Sequence, residues 1–196
     1  MAMADSALKN DRRRAAKPLL WIGIASMIMA FAGLTSGYIV SRSSLIEANT
    51  WLYFDIPSEF YISTAIIIAS SFVMTFAVRS ARAGSMGKAK LLLLLTLIAG
   101  LVFSGFQVMG WSQLTQNEIR FTGEGSNVAG SWFYIITWFH LLHVTGGVIT
   151  LLVTWVKAQM GKYSQDDYLG IEMAAIFWHF VDILWIFLFL FLAIFR

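Results

Sequence analysis

The stretch "FWHFVDILWIFLFLFLAIF", residues 177–195, is apolar enough to lie in lipid, yet it carries His179 and Asp182 in its first third. With the preceding "GIEMAAI" (170–176) it forms an apolar run of about 26 residues, long enough at 1.5 Å per residue to cross about 30 Å of hydrocarbon. A histidine and a carboxylate are costly at such depth, so they mark a face turned towards other helices or a wet cavity.

Four more apolar runs of similar length precede it, and the five predicted spans cover residues 19–40, 58–78, 89–111, 131–156 and 170–195. The composition agrees: 58% of the 196 residues are hydrophobic and only 13% are charged. Soluble domains carry nearer a quarter charged residues, so the chain reads as all-α, an integral membrane bundle of five transmembrane helices. Short polar joints separate the spans, which predicts a basic tail over 1–17 followed by a single membrane domain over 18–196. The first span follows basic residues as a signal peptide would, but it is too long for a cleaved apolar region and ends in "YIVSR", so a retained helix is expected.

Charge predicts the orientation. Eleven of the 14 basic residues fall in the N-terminal tail (Lys9, Arg12, Arg13, Arg14, Lys17), the second joint (Arg79, Arg82, Lys88, Lys90) and the fourth (Lys157, Lys162). Arg42, Arg120 and Arg196 lie on the other side, beside Glu47, Asp55, Glu59, Glu118 and Glu124. The positive-inside rule then places the N-terminus in the cytoplasm and the C-terminus in the periplasm. The net charge of +3 is read as this asymmetry and not as a nucleic-acid surface. Trp51, Trp111, Trp132, Trp155 and Tyr163 fall near the predicted boundaries and are expected to anchor them.

No cysteine is present, which excludes disulfides, thiolate metal sites, iron–sulfur ligation and covalent haem attachment through a Cys-x-x-Cys-His run. The ionisable groups inside the spans are His140, His143, Glu172, His179 and Asp182. Glu172, His179 and Asp182, spaced by seven and three, share one helix face. His140 and His143 are i, i+3 on the neighbouring span, which predicts a hydrogen-bonded group between spans four and five. With only three histidines, a haem–copper core cannot be built in this chain; buried histidines satisfied by carboxylates and carbonyls are the expectation. Gly33-x-x-x-Gly37 and Gly146-Gly147 predict close helix contacts.

At this point a family resemblance is specific. "GIEMAAIFWHFVDILWIFLF" (170–189) resembles the last helix of subunit III of the haem–copper terminal oxidases, carrying the Trp-His-Phe-Val-Asp string from Trp178 to Asp182, with Met173 where the family has alanine. "WFYIITWFHLLHVTGGVITLL" (132–152) is similar to the preceding family helix, "LLLLLTLIAGLVFSGFQVMGW" (91–111) to the one ending in Phe-Gln-x-x-x-Trp, and "WIGIASMIMAFAGLTSGYIVSR" (21–42) to the first helix of the five-helix bacterial form. The resemblance implies a subunit with no haem or copper of its own. It would pack against the catalytic subunit I and other oxidase subunits, which hold the haems and copper, and sustain proton uptake with phospholipid bound in its clefts. It further implies an inner-membrane location and a part in aerobic respiration, and leaves open whether the oxidase joins a larger respiratory supercomplex. His140, His143, Glu172, Trp178, His179 and Asp182 are then interhelical or lipid-contact residues. Two positions depart from the family: Met27 and Gly110 stand where glutamates are common, so no proton-antenna role carries over to them. The alternatives on residues alone are a haem-bearing membrane electron carrier and a small transporter; the middles of spans one to three hold no ionisable side chain, which counts against the transporter.

Overall fold

A computed structural model describes residues 2–123, 126–165 and 167–195, with side chains from residue 15 onward. Glu124, Arg196 and the side chains of Lys9, Arg12, Arg13 and Arg14, used above for orientation, therefore lie outside the described residues. Five helices are present: α1 (Ala2–Glu47), α2 (Ser58–Arg82), α3 (Met86–Gln116), α4 (Val128–Gln159) and α5 (Leu169–Phe195). All five are long and apolar enough to cross a membrane, and no strand occurs among the described residues.

Each helix contains its predicted span and runs past it, because apolarity marks the hydrocarbon while helical hydrogen bonds continue into the polar boundary. The largest extension is α1, which continues through the predicted tail as far as Ala2, with Pro18 inside it. The helix ends are set by local chemistry. Asn127 caps α4 by accepting from the Gly130 N–H at 2.7 Å. At the C-terminal ends of α2 and α4, left-handed Gly84 (φ 77°) and Gly161 (φ 68°) let the next N–H reach back, Ser85 to Ser80 O at 2.9 Å and Lys162 to Lys157 O at 3.1 Å. Asn49 and Glu118 adopt the same backbone state after α1 and α3 at the steric cost that glycine avoids.

Helices α2 to α5 form a ring of neighbours, with α2 against α3 and α5, and α4 against α3 and α5. Helix α1 leans on α4 and α5 from outside. Half of the apolar window of α5 is buried within the chain, against 11% for α1, so α5 is central and α1 peripheral. Buried positions recur at alternating steps of three and four: Phe60, Ser63, Ile67, Ser70, Met74, Ala77 and Ala81 on α2, and Phe133, Thr137, His140, Val144, Gly147, Leu151, Thr154 and Ala158 on α4. That is the repeat of left-handed knobs-into-holes packing. In lipid the apolar outer face gains nothing from leaving water, so van der Waals fit and hydrogen bonds hold the seams.

The expected glycine contacts divide. A Cβ on Gly37 would meet Trp132 at 2.8 Å and one on Gly147 would meet Trp178 at 3.1 Å, whereas Gly33 and Gly146 face open space. The expected boundary tryptophans also turn inward. Trp51 is buried edge-on against Tyr38, with centroids 5.5 Å apart, and Trp111 Nε1 donates to Thr137 Oγ1 at 3.0 Å. Their indoles join helices as well as marking a depth.

Candidate functional site, the polar face of α5

Trp178 is the centre of the bundle. Its ring is fully buried, and its Nε1 donates to Ser70 Oγ of α2 at 3.0 Å. It fits between two glycines: a Cβ on Gly100 of α3 would come within 2.5 Å of the indole, and one on Gly147 of α4 within 3.1 Å. One side chain thus joins four helices, and glycine on two of them makes the room. At the next position, His179 Nδ1 and Ser71 Oγ share a 2.7 Å hydrogen bond, with Thr75 Oγ1 3.5 Å from Nε2. Two turns beyond Trp178, Trp185 Nε1 donates to Thr64 Oγ1 at 2.9 Å. Trp178, His179 and Trp185 therefore dock α5 onto a row of hydroxyls along α2.

This corrects the predicted group between spans four and five. His179 pairs with α2, and no hydrogen bond joins it to His140, His143, Glu172 or Asp182 among the described residues. Glu172 pairs instead with Lys17 of α1 at 2.9 Å, tying the peripheral helix to the central one. Glu172 and His179 do share a face, both lining a crevice of about 280 Å³ between α2 and α5 with Thr75, Arg79 and Arg82. Asp182 is 1% exposed; the Ser71 hydroxyl neighbours it, yet neither carboxyl oxygen has a hydrogen bond of acceptable geometry among the described residues.

The two histidines of α4 part company. His140 is fully buried in a box of rings, 5.0 Å from Trp185, 6.2 Å from Phe103 and 6.3 Å from Phe31, and neither ring nitrogen has a hydrogen-bond partner among the described residues. His143 is half-buried on the outer side, where its Nδ1–H donates to Phe139 O at 2.7 Å. The spacing i, i+3 did not bring them to one partner: His140 lies among Phe103 of α3 and Trp185 of α5, while His143 turns to the outer side of α4, where Phe31 of α1 is 5.5 Å away. Among the described residues no three His, Asp or Glu side chains form a group suited to a metal ion.

Sequence reasoning missed Thr64, Ser70 and Ser71. Their signal was faint but present: the hydroxyl pairs Ser63-Thr64 and Ser70-Ser71 recur seven residues apart in an otherwise apolar span. A seven-residue repeat keeps both pairs on one seam. Gly110, which stands where the family often has glutamate, has a structural reason as well: a Cβ there would lie 2.5 Å from the Phe60 ring, which is fully buried against Phe133 and Trp185.

Outside the spans, Tyr163 closes the α4–α5 joint. Burial pushes its phenol above the usual 10.0 and Asp167 adds to this, while a hydrogen bond with Thr154 opposes it.

Five apolar helices knit by a buried indole–hydroxyl bond and a half-buried imidazole–hydroxyl bond define a polytopic helical membrane protein. The family model for cytochrome c oxidase subunit III matches residues 24–196, and the chain belongs to that family. It is 33% identical over 165 residues to cytochrome c oxidase subunit 3 of Synechocystis, covering 82% of this chain and 67% of that one. Against the Thermostichus vulcanus protein of the same name, the identity is 32% over 179 residues, 89% of this chain and 85% of that one. The Arabidopsis thaliana protein of that name is 35% identical over 129 residues; the match takes in 66% of this chain and 46% of the plant protein, so the chain spans about half the length of the plant relatives it matches.

Proposed function

We propose that the chain is a non-redox subunit III of a proton-pumping haem–copper terminal oxidase in the aerobic respiratory chain. In this reading it packs beside the catalytic subunit I in a bacterial inner membrane, stabilises it and supports proton uptake, while haems and copper reside in its partners. The carrying observation is how the Trp178–Asp182 string is used. Trp178 and His179 are consumed in binding α5 to α2, which is the work of a scaffold.

In the same reading Glu172, Trp178, His179 and Asp182 are interhelical anchors, His140 is a packing element of the aromatic core, and His143 serves an outward contact. Phospholipid occupies the apolar cleft of about 670 Å³ between α1 and α5, lined by Phe31, Thr35, Phe180, Leu184 and Phe187 among others. The N-terminus is cytoplasmic and the C-terminus periplasmic, on the strength of the basic joints.

The test is purification of the tagged chain in mild detergent. It should bring down an oxygen-reducing complex whose haem bands are lost from the chain when the subunits are separated. A chain that purifies without oxidase partners, or that keeps a haem band alone, would overturn the proposal. Reporters fused after Arg196 should read as periplasmic, and those between Arg82 and Lys88 as cytoplasmic.

A further inference from the structure

Besides the sealed nitrogens of His140 and oxygens of Asp182, the scaffold reading leaves an unused polar atom on the outer side of α4, the Nε2 of His143. The residue lies 15 positions from Val128 and 16 from Gln159, so it stands about 22–24 Å of helical rise from either end of α4, near the middle of the hydrocarbon. The Nδ1–H is committed to Phe139 O at 2.7 Å, which leaves Nε2 as the ring's remaining polar atom, a lone-pair acceptor in the neutral form of the ring. Phe31 and Phe139 hold the ring edge-on, with centroids 5.5 and 4.9 Å away. Nε2 takes no hydrogen bond from any described residue, and unlike the ring nitrogens of His140 it is not sealed inside the bundle. Acyl chains offer no donor, headgroups stay near the boundary, and water is scarce at this depth. The group is therefore built for a protein partner.

The surface around it suits a helix. Phe139, Leu142 and Val153 are 36%, 61% and 45% exposed and, with Gly146, follow one another at steps of three, four and seven, forming a stripe along the outer side of α4 beside His143. Gly146, one turn from His143, has no atom within 4 Å of where a Cβ would stand, so a neighbouring backbone has room to approach. We propose that this face of α4 is the docking surface for a transmembrane helix of a companion oxidase subunit. That helix donates a hydrogen bond from a hydroxyl, amide or indole group to His143 Nε2. The inference rests on the oxidase-subunit reading and deepens it by naming where the partner sits and what it must bring.

The test uses the assembled oxidase carrying His143→Leu or His143→Gln, the second keeping an acceptor near the Nε2 position. A membrane hydrogen bond of ordinary strength corresponds to about a three- to twenty-fold change. His143→Leu should therefore release the chain that much faster under detergent challenge, with His143→Gln within about two-fold of the natural chain. In a separate variant, a photoreactive residue replacing Leu142 should form an adduct with a membrane-spanning peptide of a companion subunit. This arm needs no change at His143 and so stands even if His143→Leu fails to accumulate. Equal release from all three forms, or adducts with lipid alone, would overturn the docking surface. If the natural chain does not co-purify with an oxidase, the underlying reading falls first, and this one with it.

Discussion

Adding one methyl group at Gly100 tests the central packing of this bundle. The Cβ of Gly100→Ala would stand 2.5 Å from the far edge of the Trp178 ring, 3.1 Å from the next ring atom and 3.2 Å from Val148. An indole at a surface would swing aside, but this one is held: Ser70 takes its N–H at 3.0 Å, and Gly147 closes on its other ring edge. Overpacking of this kind costs about 1–3 kcal/mol. The alanine also relieves the helix penalty of glycine, by up to about 1 kcal/mol. Repulsion wins because the ring has nowhere to go, and a net loss of about 1–2 kcal/mol is expected. Gly105 on the same helix has no atom within 4 Å of its would-be Cβ, so Gly105→Ala receives only the helix gain. Membranes heated in steps and extracted in mild detergent report the fraction of chain that survives. Gly100→Ala should lower the midpoint by about 2–8 °C, and Gly105→Ala should leave it unchanged or raise it. Trp178→Phe, which removes the colliding edge, should make the Gly100 change less harmful than it is alone. Equal midpoints for the two alanine variants would refute the claim that Trp178 is wedged.

The remaining expectations follow from particular contacts. A double-mutant cycle of His179→Leu with Ser71→Ala should show a coupling of about 0.6 kcal/mol and no more than about 2 in chain stability, while the initial oxygen-uptake rate of the assembled enzyme stays near normal; zero coupling would dissolve the pairing. Restoring the family's glutamate through Gly110→Glu should abolish accumulation of the chain, since it drives a charged side chain into the Phe60 ring, and Phe60→Ala should recover part of it; a stable Gly110→Glu chain would contradict the packing. The Tyr163 phenol, raised by burial, stays protonated beyond pH 10.0, so its contribution is whole below that value and is lost as pH climbs through the raised pKa. Ultraviolet titration should show a late phenolate step, and Tyr163→Phe should reduce it by one phenolate.

Hydrophobic run lengths were enough to read five spans, because a polar backbone cannot cross lipid unless each helix satisfies its own hydrogen bonds. The string around Trp178 was likewise enough to read the family, since no general rule of membrane helices asks for a histidine and an aspartate there. The choice of partners was beyond the sequence. Spans that are apolar all round carry no amphipathic signal to say which face turns inward, so the heptad seam of α2 was visible only as two hydroxyl pairs. Spacing within α5 put Glu172, His179 and Asp182 on one side, yet the arrangement of helices sent Glu172 to Lys17 and His179 to Ser71. Likewise, His140 and His143 are equivalent in sequence, and only the packing of α3 and α5 around the first makes it a buried ring while the second stays an open acceptor. Local sequence sets which residues share a face; which helix that face meets is decided by packing among all five, through shape fits such as Trp178 between Gly100 and Gly147.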